Sequence, residues 1–113
     1  MVIYAGRLGL PAEFPGATGF DWDEGNSMKS GKHSVSDPEA EQLFVNEPLV
    51  VVDDAAHSAA EPRWHALGRT NAGRLLHVTF TLRGGGTRVR IISARPMHRK
   101  ERTIYDKASQ AGS

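Results

Sequence analysis

Apolar and polar positions alternate most regularly between Arg74 and Ser93. In RLLHVTFTL, Leu76, Val78, Phe80 and Leu82 hold one phase while His77, Thr79 and Thr81 hold the other. After Gly84-Gly85-Gly86 the alternation resumes, with Val89, Ile91 and Ser93 in one phase and Arg88, Arg90 and Ile92 in the other. A period of two marks half-buried strands, and the glycines between them mark a hairpin turn. Upstream, the β-branched run Leu49–Val52 and the segment Arg63–Arg69 predict two further strands, the latter turning through Asn71-Ala72-Gly73 into Arg74–Leu82. Consecutive strands with tight turns predict an antiparallel meander. Its apolar face carries Leu76, Val78, Phe80, Leu82, Val89 and Ile91. Its polar face carries His77, Thr79, Thr81, Arg83, Arg88 and Arg90, with Arg63 and His65.

Helical spacing appears on either side of the meander. Pro96 ends the last strand, and Met97, Glu101, Ile104, Tyr105 and Ala108 then recur at steps of three and four, predicting a C-terminal helix over about Met97–Ala108. Arg99, Lys100, Arg102 and Lys107 fall on its other sides. Before the meander, Ser36 and Glu39 form a capping-box pattern with Pro38 in the first turn and Ala40, Leu43 and Phe44 as a stripe, predicting a helix that Asn46 and Pro48 stop. A weaker helix is predicted over Gly25–Ser34, with Asp23 or Asn26 as its cap. Phe20–Glu24 reads as a short strand. Residues 1–19 show no period and read as an extension that is poorly ordered, drapes over the domain, or comes from a vector or an early start codon. The single domain is expected over residues 20–108, with 109–113 as a tail, and the class is α+β.

Composition sharpens this picture at one point. The net charge of +1 conceals two opposed halves: Met1–Asp54 holds three Lys/Arg against ten Asp/Glu, and Ala55–Ser113 holds eleven against three. In the basic half arginine outnumbers lysine nine to two, and arginine's planar fork suits phosphate. A cationic surface for a polyanion is therefore expected, against the plainer alternative that the halves neutralise one another in the fold. The absence of cysteine removes disulfides and thiolate chemistry. No membrane span or signal peptide is expected, and a soluble cytoplasmic protein is. His57, His65, His77 and His98 show no spacing that predicts a metal site.

The residues that carry chemistry follow a familiar order: Phe20-Asp21-Trp22-Asp23-Glu24, Lys32-His33, Asn46-Glu47-Pro48, His57-Ser58, Glu61-Pro62-Arg63, Leu67-Gly68-Arg69-Thr70, then Arg90-Ile91-Ile92-Ser93-Ala94-Arg95, and Glu101 with Tyr105. Over roughly residues 20–107 this resembles the BrnT family, toxins of bacterial type II toxin-antitoxin pairs. The resemblance implies a RelE-like α+β fold with two short N-terminal helices, an antiparallel sheet and a C-terminal helix. It also implies an endoribonuclease that needs no metal or cofactor and inhibits translation. Its partners would be the RNA substrate and a cognate ribbon-helix-helix (BrnA-like) antitoxin, with operator DNA reached only through that antitoxin.

Carried over residue by residue, the resemblance makes Lys32 and His33 the candidates for proton transfer, His33 first because its ordinary pKa lies near working pH. It makes Arg63, Arg90 and Arg95 candidates for the scissile phosphate, and Tyr105 a candidate for orienting substrate or giving a proton. Arg83, Arg88, Arg99 and Arg102 are expected to hold RNA. Trp22 is expected to be structural. Two other readings compete: a weakly active or inactive toxin-like protein that binds an antitoxin and co-represses its operon, and a nucleic-acid-binding domain acting alone.

Overall fold

The computed structural model of the chain describes residues 2–4, 19–31, 34–54 and 61–111. Four strands form the predicted meander: β3 (Leu49–Asp53), β4 (Trp64–Arg69), β5 (Leu75–Arg83) and β6 (Arg88–Pro96), each antiparallel to the next. Two short strands complete a six-stranded sheet of order β1-β3-β4-β5-β6-β2. β1 (Val2–Tyr4), inside the expected extension, pairs antiparallel with β3; β2 (Gly19–Phe20) pairs parallel with the start of β6. The strand expected over Phe20–Glu24 is thus shorter and begins earlier. It stops because Asp23 turns the chain into α1 (Glu24–Gly31), its Oδ1 accepting from the N–H of Gly25 at 2.8 Å and of Asn26 at 3.3 Å, while Asn26 Oδ1 accepts from Asp23 N–H at 2.7 Å. Both predicted capping residues therefore act together.

α2 (Asp37–Gln42) starts on the predicted capping box, with Ser36 Oγ accepting from Glu39 N–H and Glu39 Oε1 accepting from Ser36 N–H at 3.0 Å. It runs into a 3-10 turn at Leu43–Val45. Ala40, Leu43 and Phe44 are fully buried against Leu49, Val51, Ala66, Leu76, Val78, Phe80, Val89, Ile91 and Ala94, with Phe20, Trp22 and Trp64 at the margin. Phe44 meets Phe80 edge-on at 5.2 Å between centroids. Trp22 also donates its indole N–H to Glu41 at 2.6 Å, the structural role expected of it.

The opposite face of the sheet is only partly covered. α3 (Arg99–Ala111) packs Tyr105 and Ala108, with Met97 ahead of it, on Val50 and Leu67. The helix begins two residues later than its spacing predicts because Pro96 still pairs with Leu76 and Met97 N–H donates to Leu75 C=O. Ile104, expected on the packed face, is 40% exposed. The contact line runs through 97, 101, 105 and 108 and leaves 104 on its flank.

One irregularity changes which residues share a face. Thr79 pairs with Ser93 but Phe80 pairs with Ile91, so Ile92 is an extra residue in β6. This is a β-bulge. Strict alternation would put Arg95 in phase with Val89 and Ile91, in the core. With the bulge, Ser93 and Arg95 instead stand opposite Thr79 and His77 on the polar face, and Ala94 takes the core position. The expected grouping of Ser93 with Val89 and Ile91 is corrected accordingly.

Candidate nucleic-acid interface

On the polar face, β4 and β5 bring two histidines together. Cross-strand pairing sets His65 against Thr79 and Leu67 against His77, so the histidines are diagonal neighbours, their rings 4.8 Å apart and tilted by 32°. His65 is fixed from both sides: Nε2 lies 3.0 Å from Asp54 Oδ2 and Nδ1 lies 3.0 Å from Thr79 Oγ1. Its side chain keeps 32% exposure while Asp54 is nearly buried. An imidazole oriented by a buried carboxylate and still reached by solvent can move a proton to or from a bound molecule.

His77 differs because it is buried. Its Nε2 is 4.0 Å from Glu101 Oε2, too far for a hydrogen bond, and its side chain is 10% exposed. Burial, with the nearby Arg95 charge, pushes its pKa down to about 4, so it is neutral at pH 7. Glu101 is claimed by Arg95, whose Nη1 and Nη2 donate to its two oxygens at 2.8 and 2.9 Å. That fork, with the His98 N–H bond, holds Glu101 near pKa 2 against the effect of burial. The row Asp54, His65, His77, Glu101, Arg95 thus crosses β3 to β6 and ends under α3.

The residues predicted from sequence fall into several places. Arg90 is bidentate to Asp23 at 3.0 and 3.1 Å, with Asp21 at 3.6 Å, and it ties β6 to the start of α1. Those contacts hold Asp23 below its ordinary pKa and Arg90 above. Arg95 is the Glu101 partner. Arg90 and Arg95 face Thr81 and His77, four steps apart on β5, so with Ile92 bulged out they lie roughly 13 Å apart along the strand at the usual rise. Both stand on the polar face, but each is already held by its own carboxylate, Asp23 for Arg90 and Glu101 for Arg95, so the two guanidinium groups are not both free for one phosphodiester. Arg63 is half-buried in the segment before β4, its C=O accepting from Asp54 N–H. Arg83 pairs with Glu61 at 3.1 Å. Arg88, Arg99 and Arg102 are exposed. Tyr105 is 3% exposed and donates its hydroxyl to Pro48 C=O at 2.8 Å, a core position that raises its pKa. Lys32, His33 and His57 lie outside the described residues.

Spacing along the chain does not single out the histidine pair. Its signal was there in another form: His65, His77 and Thr79 share the polar phase. Glu101 stood out on the helical stripe and in the family pattern, whereas Asp54 carried no such signal, since only folding brings it to the row.

A family model described as the ribonuclease toxin, BrnT, of type II toxin-antitoxin systems matches residues 22–101. The chain belongs to the BrnT family. The matched BrnT span runs from Trp22 to Glu101 and so contains the whole histidine row and the Arg83, Arg90–Asp23 and Arg95 ion pairs. No curated protein matches the chain, and no helix among its described residues is long and apolar enough to cross a membrane.

Proposed function

We propose that this BrnT chain is an endoribonuclease of RelE-like type that cuts RNA without a metal, using the 2′-hydroxyl as nucleophile, and so inhibits translation until a ribbon-helix-helix antitoxin neutralises it. The observation that carries the reading is the Asp54–His65 pair on the open sheet face of a chain from a ribonuclease toxin family. With Nε2 kept on Asp54, which steadies the resulting imidazolium, His65 takes the 2′-hydroxyl proton at Nδ1, where the substrate hydroxyl replaces Thr79 Oγ1, and the freed oxygen attacks phosphorus as the 5′-oxygen leaves. His33 with Lys32, assigned from the family resemblance, supplies the proton that the leaving oxygen needs. Arg63 and Arg95 orient the phosphate. A guanidinium has five N–H donors, so Arg95 keeps donors after Glu101 and Pro96 C=O are served, although Glu101 weakens its attraction for an anion. Arg90 acts by positioning α1, and Tyr105 by holding α3 against Pro48.

The test is RNA incubated with purified protein in a metal chelator. Fragments ending in 2′,3′-cyclic phosphate are expected, with His65→Ala and His33→Ala each slowing cleavage by about a hundredfold or more. Intact RNA in the presence of folded protein would remove the reading. The carboxylate locks on Arg90 and Arg95 favour a second one: a toxin-like protein that docks an antitoxin and co-represses its operon without cutting. It predicts that expression of the chain alone leaves growth unchanged while the adjacent gene's product co-purifies with it.

A further inference from the structure

An open pocket of about 300 Å³ lies at the far end of β4, lined by Asn46, Arg69, Thr70, Asn71 and Gly73. Its size sits at the lower end of the roughly 300–1,000 Å³ found for small-molecule sites. Its walls are built rather than incidental. Asn46 spends both amide hydrogens on the turn between β4 and β5, donating to Arg69 C=O at 2.9 Å and to Asn71 Oδ1 at 3.0 Å. Asn71 N–H is anchored on Gln42 Oε1 at 2.9 Å, and Thr70 Oγ1 accepts from Arg74 N–H at 3.0 Å. These bonds fix what remains unused. Among the described residues, Asn46 Oδ1 is an acceptor without a donor, Asn71 Nδ2 is a donor without an acceptor, and the exposed Arg69 has no carboxylate partner. Arg74, Arg83, Arg90 and Arg95 all have one.

An acceptor beside a donor matches the edge of a nucleobase, and a guanidinium matches a phosphate. We infer that this pocket takes one nucleotide of single-stranded RNA, the two asparagines reading the base and Arg69 holding its phosphate. The site rests on the ribonuclease reading for its occupant. Arg69 lies four residues along β4 from His65, roughly 13 Å at the usual rise. α3 covers the sheet between them at Leu67. Its outward Arg99, Lys100, Arg102 and Lys107 give an RNA strand a cationic path across it. The pocket is then a specificity subsite that chooses which nucleotide lies a fixed distance from the cut.

The probes are short 2′-O-methyl oligoribonucleotides differing in one base, which resist cleavage, with the four nucleoside 5′-monophosphates and inorganic phosphate as separate arms. Arg69→Ala should weaken oligonucleotide binding about tenfold, and Arg69→Lys should recover part of it. Asn71→Asp keeps the acceptor for Asn46 but turns the free donor into an acceptor, and it should erase or change the base preference. Binding of inorganic phosphate alone would overturn the base-reading claim. Unchanged affinity and unchanged preference in both variants would overturn the site, even where the protein still cuts RNA. Arg69-dependent nucleotide binding by a protein that cuts nothing would uphold the pocket and remove the ribonuclease reading.

Discussion

Individual side chains set the acid sensitivity of this fold, because two titrating groups of the row are shifted in ways that act together. His77 is held neutral by burial, with a pKa near 4 instead of 6.5. Between those values the unfolded chain binds more protons than the folded one, so stability falls as pH drops from 6.5 towards 4. Glu101 has a folded pKa of about 2 instead of 4.5, and its contribution is present above 4.5 and lost as pH falls through 2. Acid should therefore weaken the protein in two successive stages. His77→Val should flatten the melting temperature between pH 6.5 and 4, removing a loss on the order of 2 to 3 kcal/mol. Glu101→Gln should lower stability at pH 7 by about 2 kcal/mol, because it leaves Arg95 without its charge partner, and should flatten the lower stage alone. Thermal melts across pH check both; parallel curves for wild type and His77→Val would show that His77 is not held neutral.

At the scale of elements, one glycine sets how closely the 3-10 turn approaches the sheet. A Cβ built at Gly68 would lie 2.8 Å from Leu43 Cγ and 3.2 Å from its Cβ. Leu43 is fully buried and cannot swing away. Gly68→Ala should thus cost about 1 to 3 kcal/mol despite alanine's better strand propensity, and a denaturant midpoint unchanged from wild type would mean that the turn yields. The strands and the α2 cap were legible because each rests on local chemistry: alternation, a capping box, and a hairpin turn whose three glycines all adopt positive φ. Of the edge strands, β2 was legible only in part, as the short strand expected over Phe20–Glu24, and β1 was not. β1 is three residues long, too short to show a period, and a pairing partner far along the chain is what defines it. The bulge left no mark either, since Ile91-Ile92 reads as an ordinary apolar pair until β5 fixes the register.

For the molecule as a whole, the opposed halves of the sequence meet both expectations at once. Arg90 with Asp21 and Asp23, and Arg74 with Glu39, join basic half to acidic half. Arg69, Arg88, Arg99, Lys100, Arg102 and Lys107 stay exposed, and none of them is in an ion pair among the described residues. These residual charges should make RNA binding salt-dependent, each phosphate contact on a single strand adding about 0.7 to the slope of log affinity against log salt. Replacing Arg99 and Arg102 together by alanine should lower that slope by roughly 1.4, measured by titration at several salt concentrations, whereas an unchanged slope would take α3 out of the interface. Counting charges in the sequence showed the surplus but not its location, because which arginines are neutralised depends on carboxylates such as Asp23 and Glu61 that only the folded chain brings near. The single unpaired isoleucine in β6 makes the same point in another way. Removing Ile92 would let Ser93 follow Ile91 in unbroken alternation, so Ser93, Ala94 and Arg95 would keep their partners Thr79, Val78 and His77 and the faces they now occupy. A one-codon deletion at Ile92 should therefore leave the sheet folded, whereas deleting one codon within Leu76–Val78 of β5, which has no spare residue, should not, and that contrast is a genetic signature of the bulge.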